Sequence, residues 1–175
     1  MIYHRYYYST DPLNVQAPSD QPVTQSLSPR AAAALASAAL HVNDRCAQHN
    51  GIDVVEVRAG FAQVRMTVRD YMVNGLEVCH GGYIFVLADT AMAHASNSHN
   101  QVALAASASI DWLLPGRLGD QLTASAKEQA LNGRTGIYAI EVRDQHDQLI
   151  ALFRGRTQQR RDTIVAGITI DSAQS

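Results

Sequence analysis

The segment NGLEVCHGGYIFVLADTAMAHASNS, residues 74–98, concentrates the groups in this chain that are able to do chemistry. Asp89 stands in a run from Tyr83 to Ala95 that is otherwise mostly aliphatic, aromatic or Ala. Such a run packs in a core, and a carboxylate placed there loses its water. On a helix the neighbours of Asp89 one turn away are Phe85, Val86, Met92 and Ala93, none of which pairs with a carboxylate. No Lys or Arg occurs between Arg69 and Arg117. Desolvation raises the pKa of an acid, the direction a general base needs. The competing reading is a structural acid bonded to a buried backbone N–H or to a hydroxyl such as that of Thr90.

His80-Gly81-Gly82 stands where that helix begins. The first N–H groups of a helix have no intrahelical acceptor and carry the positive end of its dipole. Glycines let another atom approach this backbone, so the segment suits an anion or a developing oxyanion. The competing reading is that the two glycines only permit a tight turn. Gly81 and Asp89 are eight residues apart, roughly 12 Å along a helix. A water and an oxyanion donor serving one carbonyl must each lie within about 3 Å of the reacting group. A single helix does not satisfy this. Two helices side by side and antiparallel do, with Gly81 of one chain facing Asp89 of the other, so the catalytic reading requires a dimer with shared sites.

Other groups carry weaker signals. Cys79 and His80 are adjacent, and adjacent side chains in an extended loop diverge, which argues against a thiol–imidazole nucleophile. His94 and His99 read as surface or helix-end residues, with no convincing third ligand for a metal. Arg154, Arg156, Arg160 and Arg161 form the densest basic stretch. It reads either as a solvated edge strand or as a phosphate clamp for an anionic ligand.

The elements that must position these groups follow from periodicity. Ser28-Pro29 has the form of an N-cap and first helical residue, and Asn50-Gly51 that of a helix stop, which predicts one Ala-rich helix between them. IDVVEVRAG is a short β-branched run. FAQVRMTVRD alternates, with Ala62, Val64, Met66 and Val68 on one face. After the central helix come four strand-like runs: VALAASASIDWL, DQLTASAKEQAL, TGIYAIEVRD and LIALFRGRTQQR. TIVAGITI extends or covers an edge. Strands interrupted by one apolar helix predict an α+β layer, an antiparallel sheet curled around that helix.

The 175 residues suit one domain with a tail. We divide them into an N-terminal extension at 1–28, disordered or loosely packed, a domain at 29–165 and a C-terminal tail at 166–175. A net charge of −2, with Lys127 the only lysine, argues against nucleic acid as a partner. No apolar run reaches the length of a membrane span. Two cysteines without a spaced framework point to reduced thiols and a cytoplasmic setting, and a structural zinc site is not expected.

VNGLEVCHGGYIFVLADTAMAHASNS resembles the signature of hotdog-fold acyl-CoA thioesterases of the phenylacetate-degradation (PaaI-type) family. The resemblance extends over about residues 35–162, through GIDVVEVRAGFAQVRMTVRDYMVNG, ASASIDWLLPGRLGDQLTASA and GIYAIEVRDQ. It implies a hotdog fold, a sheet wrapped around a long central helix. It implies that Asp89 is the catalytic carboxylate, as base or nucleophile, and that the Gly81 N–H polarises the thioester carbonyl. Asn74 and His80 would line the site, Thr90 would support it and Gly82 would contact substrate. No metal or cofactor is implied, and the expected assembly is a dimer of dimers. The family commonly has a basic residue before the Pro of the strand turn. Here Leu114 precedes Pro115, which leaves Arg117, with Arg154 and Arg156, as candidates for the CoA phosphates. The expected activity is hydrolysis of an aryl-acetyl-CoA or medium acyl-CoA. The rivals are a hotdog dehydratase and a non-catalytic acyl-CoA-binding module.

Overall fold

The computed structural model describes residues 24–171. The greater part of the N-terminal extension, with its run of tyrosines, and the last four residues of the tail lie outside the described residues.

Ser28 caps helix α1 (Pro29–His41), its hydroxyl accepting from Ala31 N. The single helix expected up to Asn50 is two. The chain breaks after His41, and Asp44 starts a second helix, α2 (Arg45–Asn50), by accepting a 2.8 Å hydrogen bond from Ala47 N. The side chains of Asn43 and Asp44 compete with helical backbone bonds and favour such a cap. Gly51 ends α2 with φ 63°, as the stop signal requires.

Six strands form one antiparallel sheet: β2 (Asp53–Arg58), β3 (Phe61–Thr67), β4 (Gln101–Trp112), β5 (Gln121–Asn132), β6 (Thr135–Arg143) and β7 (Leu149–Thr163), in the order β2-β3-β5-β6-β7-β4. Alternation sets the buried face: Ala62, Val64 and Met66 on β3, Leu122, Ala124 and Ala126 on β5, Tyr138, Ile140 and Val142 on β6, and Ala151 and Phe153 on β7. This face wraps the long helix α3 (Gly81–Asn97), which contacts every strand of the sheet. The expectation of a sheet curled around one apolar helix is met. Alanines on the concave face let the sheet close on the helix. Gly155 goes further, because a Cβ there would collide with the Met92 sulfur. Met92 is flexible but enclosed, so Gly155→Ala should lose about 1 kcal/mol and Gly155→Val about 3 kcal/mol of stability, read by urea denaturation.

Asn97 ties the end of α3 to β4, accepting from Ala103 N at 2.8 Å and donating to Ala103 O at 3.1 Å. A short strand β8 (Ile168–Ile170) pairs in parallel with β1 (Gln25–Leu27), so the TIVAGITI segment closes a two-stranded ribbon instead of extending the main sheet. Helix α1 rests on α3 through a 2.8 Å hydrogen bond between Ser37 Oγ and His94 Nδ1. His94 lies in the last turn of α3, as expected of a helix-end residue, but it is 2% exposed, which corrects the alternative expectation of a surface residue. Strand β4 is an edge of the sheet, and Leu104 to Ser109 on it are exposed. Among the described residues no helix is long and apolar enough to cross a membrane.

Candidate active site

The loop from Val73 to His80 sets the start of α3. The Asn74 side chain folds it, with Oδ1 accepting from Leu76 N at 2.9 Å and Val78 N at 3.4 Å. Asn74 N donates to Val78 O and Glu77 N to Asn74 O, both at 2.9 Å. The loop is pinned at its exit, where Cys79 N donates to Gly116 O and His80 N to Met72 O, both at 2.8 Å. Asn74 therefore shapes the site through its carbonyl oxygen and leaves its amide NH2 without a partner among the described residues.

His80 is the N-cap of α3. Its Nδ1 accepts a 3.0 Å hydrogen bond from Gly82 N. This separates two glycines that look equivalent in sequence. The Gly82 N–H is occupied by the cap, and the Gly81 N–H has no acceptor among the described residues. Gly81 N–H is thus the free donor at the positive end of a five-turn helix. The structure adds a neighbour the sequence did not suggest: a Cβ on Gly81 would lie 2.9 Å from both Cε2 and Nε1 of Trp112. Trp112, Gly81, Val78, Ile84, Leu114 and Pro115 are among the walls of an open, largely apolar groove of ≈ 520 Å³.

Asp89 lies on the same helix, partly buried, and its carboxylate makes no hydrogen bond or ion pair among the described residues. Thr90 is buried beside it, yet no bond joins the two. Burial raises the Asp89 pKa, and the negative charge of Asp44 raises it further. Asp44 was not singled out from the sequence, because only the fold brings α2 toward α3. The Cys79 thiol is buried and pushed up to about 11 by burial and by the Asp120 charge, so it does not supply a thiolate.

The three candidate arginines do not join this groove within one chain. Arg117 is exposed on the turn before β5, where its backbone N–H is held by Asp120 at 2.7 Å. Arg154 and Arg156 project from the outer face of β7, away from α3, and Arg156 Nε donates to Ser107 Oγ at 3.4 Å. Among the described residues no group of three or more His, Cys, Asp or Glu side chains is placed to hold a metal ion.

A family model described as Thioesterase superfamily matches residues 76–151. The acyl-coenzyme A thioesterase PaaI of Escherichia coli is 46% identical over 126 residues, 72% of this chain and 90% of that protein. This chain belongs to the thioesterase superfamily. The structure of the E. coli PaaI protein from the phenylacetic acid degradation operon superposes with a TM-score of 0.77 at 43% identity, covering 81% of this chain and 100% of the other. A Streptococcus mutans protein solved bound to acetyl CoA gives 0.62 at 28% identity, covering 64% of this chain and 90% of the other. The α+β architecture is therefore the hotdog fold, and this thioesterase-superfamily chain is a thioester hydrolase of the acyl-CoA thioesterase kind.

Proposed function

We propose that the chain hydrolyses an aryl-acetyl-CoA of the phenylacetyl or hydroxyphenylacetyl type, or a medium acyl-CoA, to the free acid and CoA. The observation that carries this reading is the pairing on α3 of an unoccupied Gly81 N–H with an unpaired Asp89 carboxylate whose pKa is raised. Asp89 takes a proton from water as the water attacks the thioester carbonyl. The carbonyl oxygen gains charge against the Gly81 N–H, and the CoA thiolate leaves. Alternatively Asp89 attacks the carbonyl itself. The CoA thiolate then departs, leaving a mixed anhydride that water hydrolyses. In a single turnover in labelled water, attack at the Asp89 carboxyl carbon of that anhydride would put solvent oxygen into the Asp89 carboxylate.

The two groups serve one carbonyl only if two copies combine. The exposed edge strand β4 supports this, because twelve residues of unpaired strand edge invite antiparallel pairing with a second copy. In such a homodimer α3 runs beside its counterpart, and Gly81 of one protomer faces Asp89 of the other. A dimer of dimers then uses further surface. Asn74 and His80 hold the loop beside the thioester, and Thr90 packs behind Asp89. Arg117, Arg154 and Arg156 are the proposed contacts for the CoA phosphates, and the cytoplasm is the proposed setting.

Thiol release from phenylacetyl-CoA, hydroxyphenylacetyl-CoA, benzoyl-CoA and hexanoyl-CoA tests the proposal, with the mass in solution measured alongside. The expected result is turnover by a dimer or larger assembly, with an aryl-acetyl ester among the best substrates. A monomer with full activity would sink the shared site, and no turnover of any ester would sink the substrate assignment.

A further inference from the structure

We propose that the Trp112 indole is the specificity wall of the thioester cleft, stacking on a flat acyl group whose carbonyl is held at Gly81. The inference rests on the thioesterase reading of Gly81 given above. Its own support is geometric. The indole sits so close to Gly81 that a single methyl group would not fit between them, 2.9 Å from two ring atoms. Any group whose carbonyl oxygen reaches the Gly81 N–H is therefore flanked by that ring.

The backbone that carries the ring is fixed, and the ring itself is half exposed. Trp112 ends β4 opposite Ala151 of β7. The next two residues are fixed by Leu113 N and Leu114 N donating to Ile150 O at 2.8 and 3.2 Å. Even so, Trp112 is 53% exposed, a large aromatic surface left uncovered beside a catalytic donor. Val78, Ile84 and Leu114 supply aliphatic walls, and the other ring lining the groove is the smaller, polar His80 imidazole, tied to Gly82 N, so the indole is the large apolar ring of the groove. A flat π surface favours a planar acyl group over a saturated chain of similar size, by offset stacking beyond simple burial. This makes Trp112 a determinant of substrate class. It does not hold the reacting atoms.

Trp112 is the only tryptophan, so its emission reports on its own contacts. Two measurements test the proposal. In Asp89→Asn, where bound ester persists, phenylacetyl-CoA should change the fluorescence and CoA alone should not. In the otherwise unmodified enzyme, kcat/KM for phenylacetyl-CoA relative to hexanoyl-CoA should fall three- to tenfold in Trp112→Ala, the size of a lost aromatic stack. It should be largely kept in Trp112→Phe. An equal change with CoA alone would place the indole along the pantetheine arm and overturn the proposal. So would an unaltered ratio in Trp112→Ala, or a Phe variant that behaves like Ala. If the wild-type enzyme releases no thiol from any ester, the proposed function fails. If it does and the ratio does not move, only the role of Trp112 fails.

Discussion

Asp89→Ala should lower thiol release by about 10²–10⁴-fold, the usual contribution of a positioned general base, with the fold intact. The structure argues for both parts. The Asp89 carboxylate makes no hydrogen bond or ion pair among the described residues, so its loss strands no partner. Its pKa is raised by burial first and by the Asp44 charge second. A raised pKa means that the folded chain binds the proton more readily than the unfolded one. The associated stability is complete below the ordinary carboxylate pKa and is lost as pH rises through the folded value. Above that raised pKa the charged Asp89 is therefore a cost to folding, and Asp89→Asn should melt no lower than wild type there. Turnover should run the other way, rising with pH as Asp89 loses its proton and then levelling. Asp44→Asn removes the second cause of the shift and should move that rise to lower pH. An Asp89→Ala variant that unfolds, or one that keeps its turnover, would contradict this account.

The sequence disclosed the parts of this arrangement that depend on local rules. Alternation in FAQVRMTVRD placed Ala62, Val64 and Met66 on the buried face, and the apolar run around Asp89 marked α3. Both are consequences of residue spacing within one element. Other features depend on which elements meet. Gly81 and Gly82 look alike until the His80 side chain turns back onto one of them. Trp112 meets Gly81 across 31 positions of chain, and no pattern near either residue announces the contact. The break between α1 and α2 did have a local signal, Asn43-Asp44, which the strong helix propensity on either side concealed. Arg154 and Arg156 show the converse: a dense basic stretch is conspicuous in sequence, yet its alternation puts both on the sheet face opposite α3.

His94 gives the clearest consequence of a contact that the sequence did not reveal. It sits between α3 and α1, shares a hydrogen bond with Ser37, and has the His41 ring centred 6.1 Å away. Burial pushes its pKa down to about 4, the neighbouring His41 pushes the same way, and Asp44 opposes them. Below pH 6.5 the unfolded chain takes up a proton at this residue that the folded chain refuses. Stability from His94 is thus complete above about pH 6.5 and is lost as pH falls toward 4, by up to about 3 kcal/mol. Asp89 works in the opposite sense, which is why a comparison of variants is needed. The expected result is that wild type loses stability to urea between pH 7 and pH 4.5. His94→Gln should be less stable than wild type at pH 7, where the neutral imidazole fills its site, and should lose less on acidification. Because α1 is docked through this pair, protection of the α1 amides from hydrogen exchange should fall first as pH drops. Equal pH dependence in wild type and His94→Gln would show that the acid sensitivity of the fold resides elsewhere.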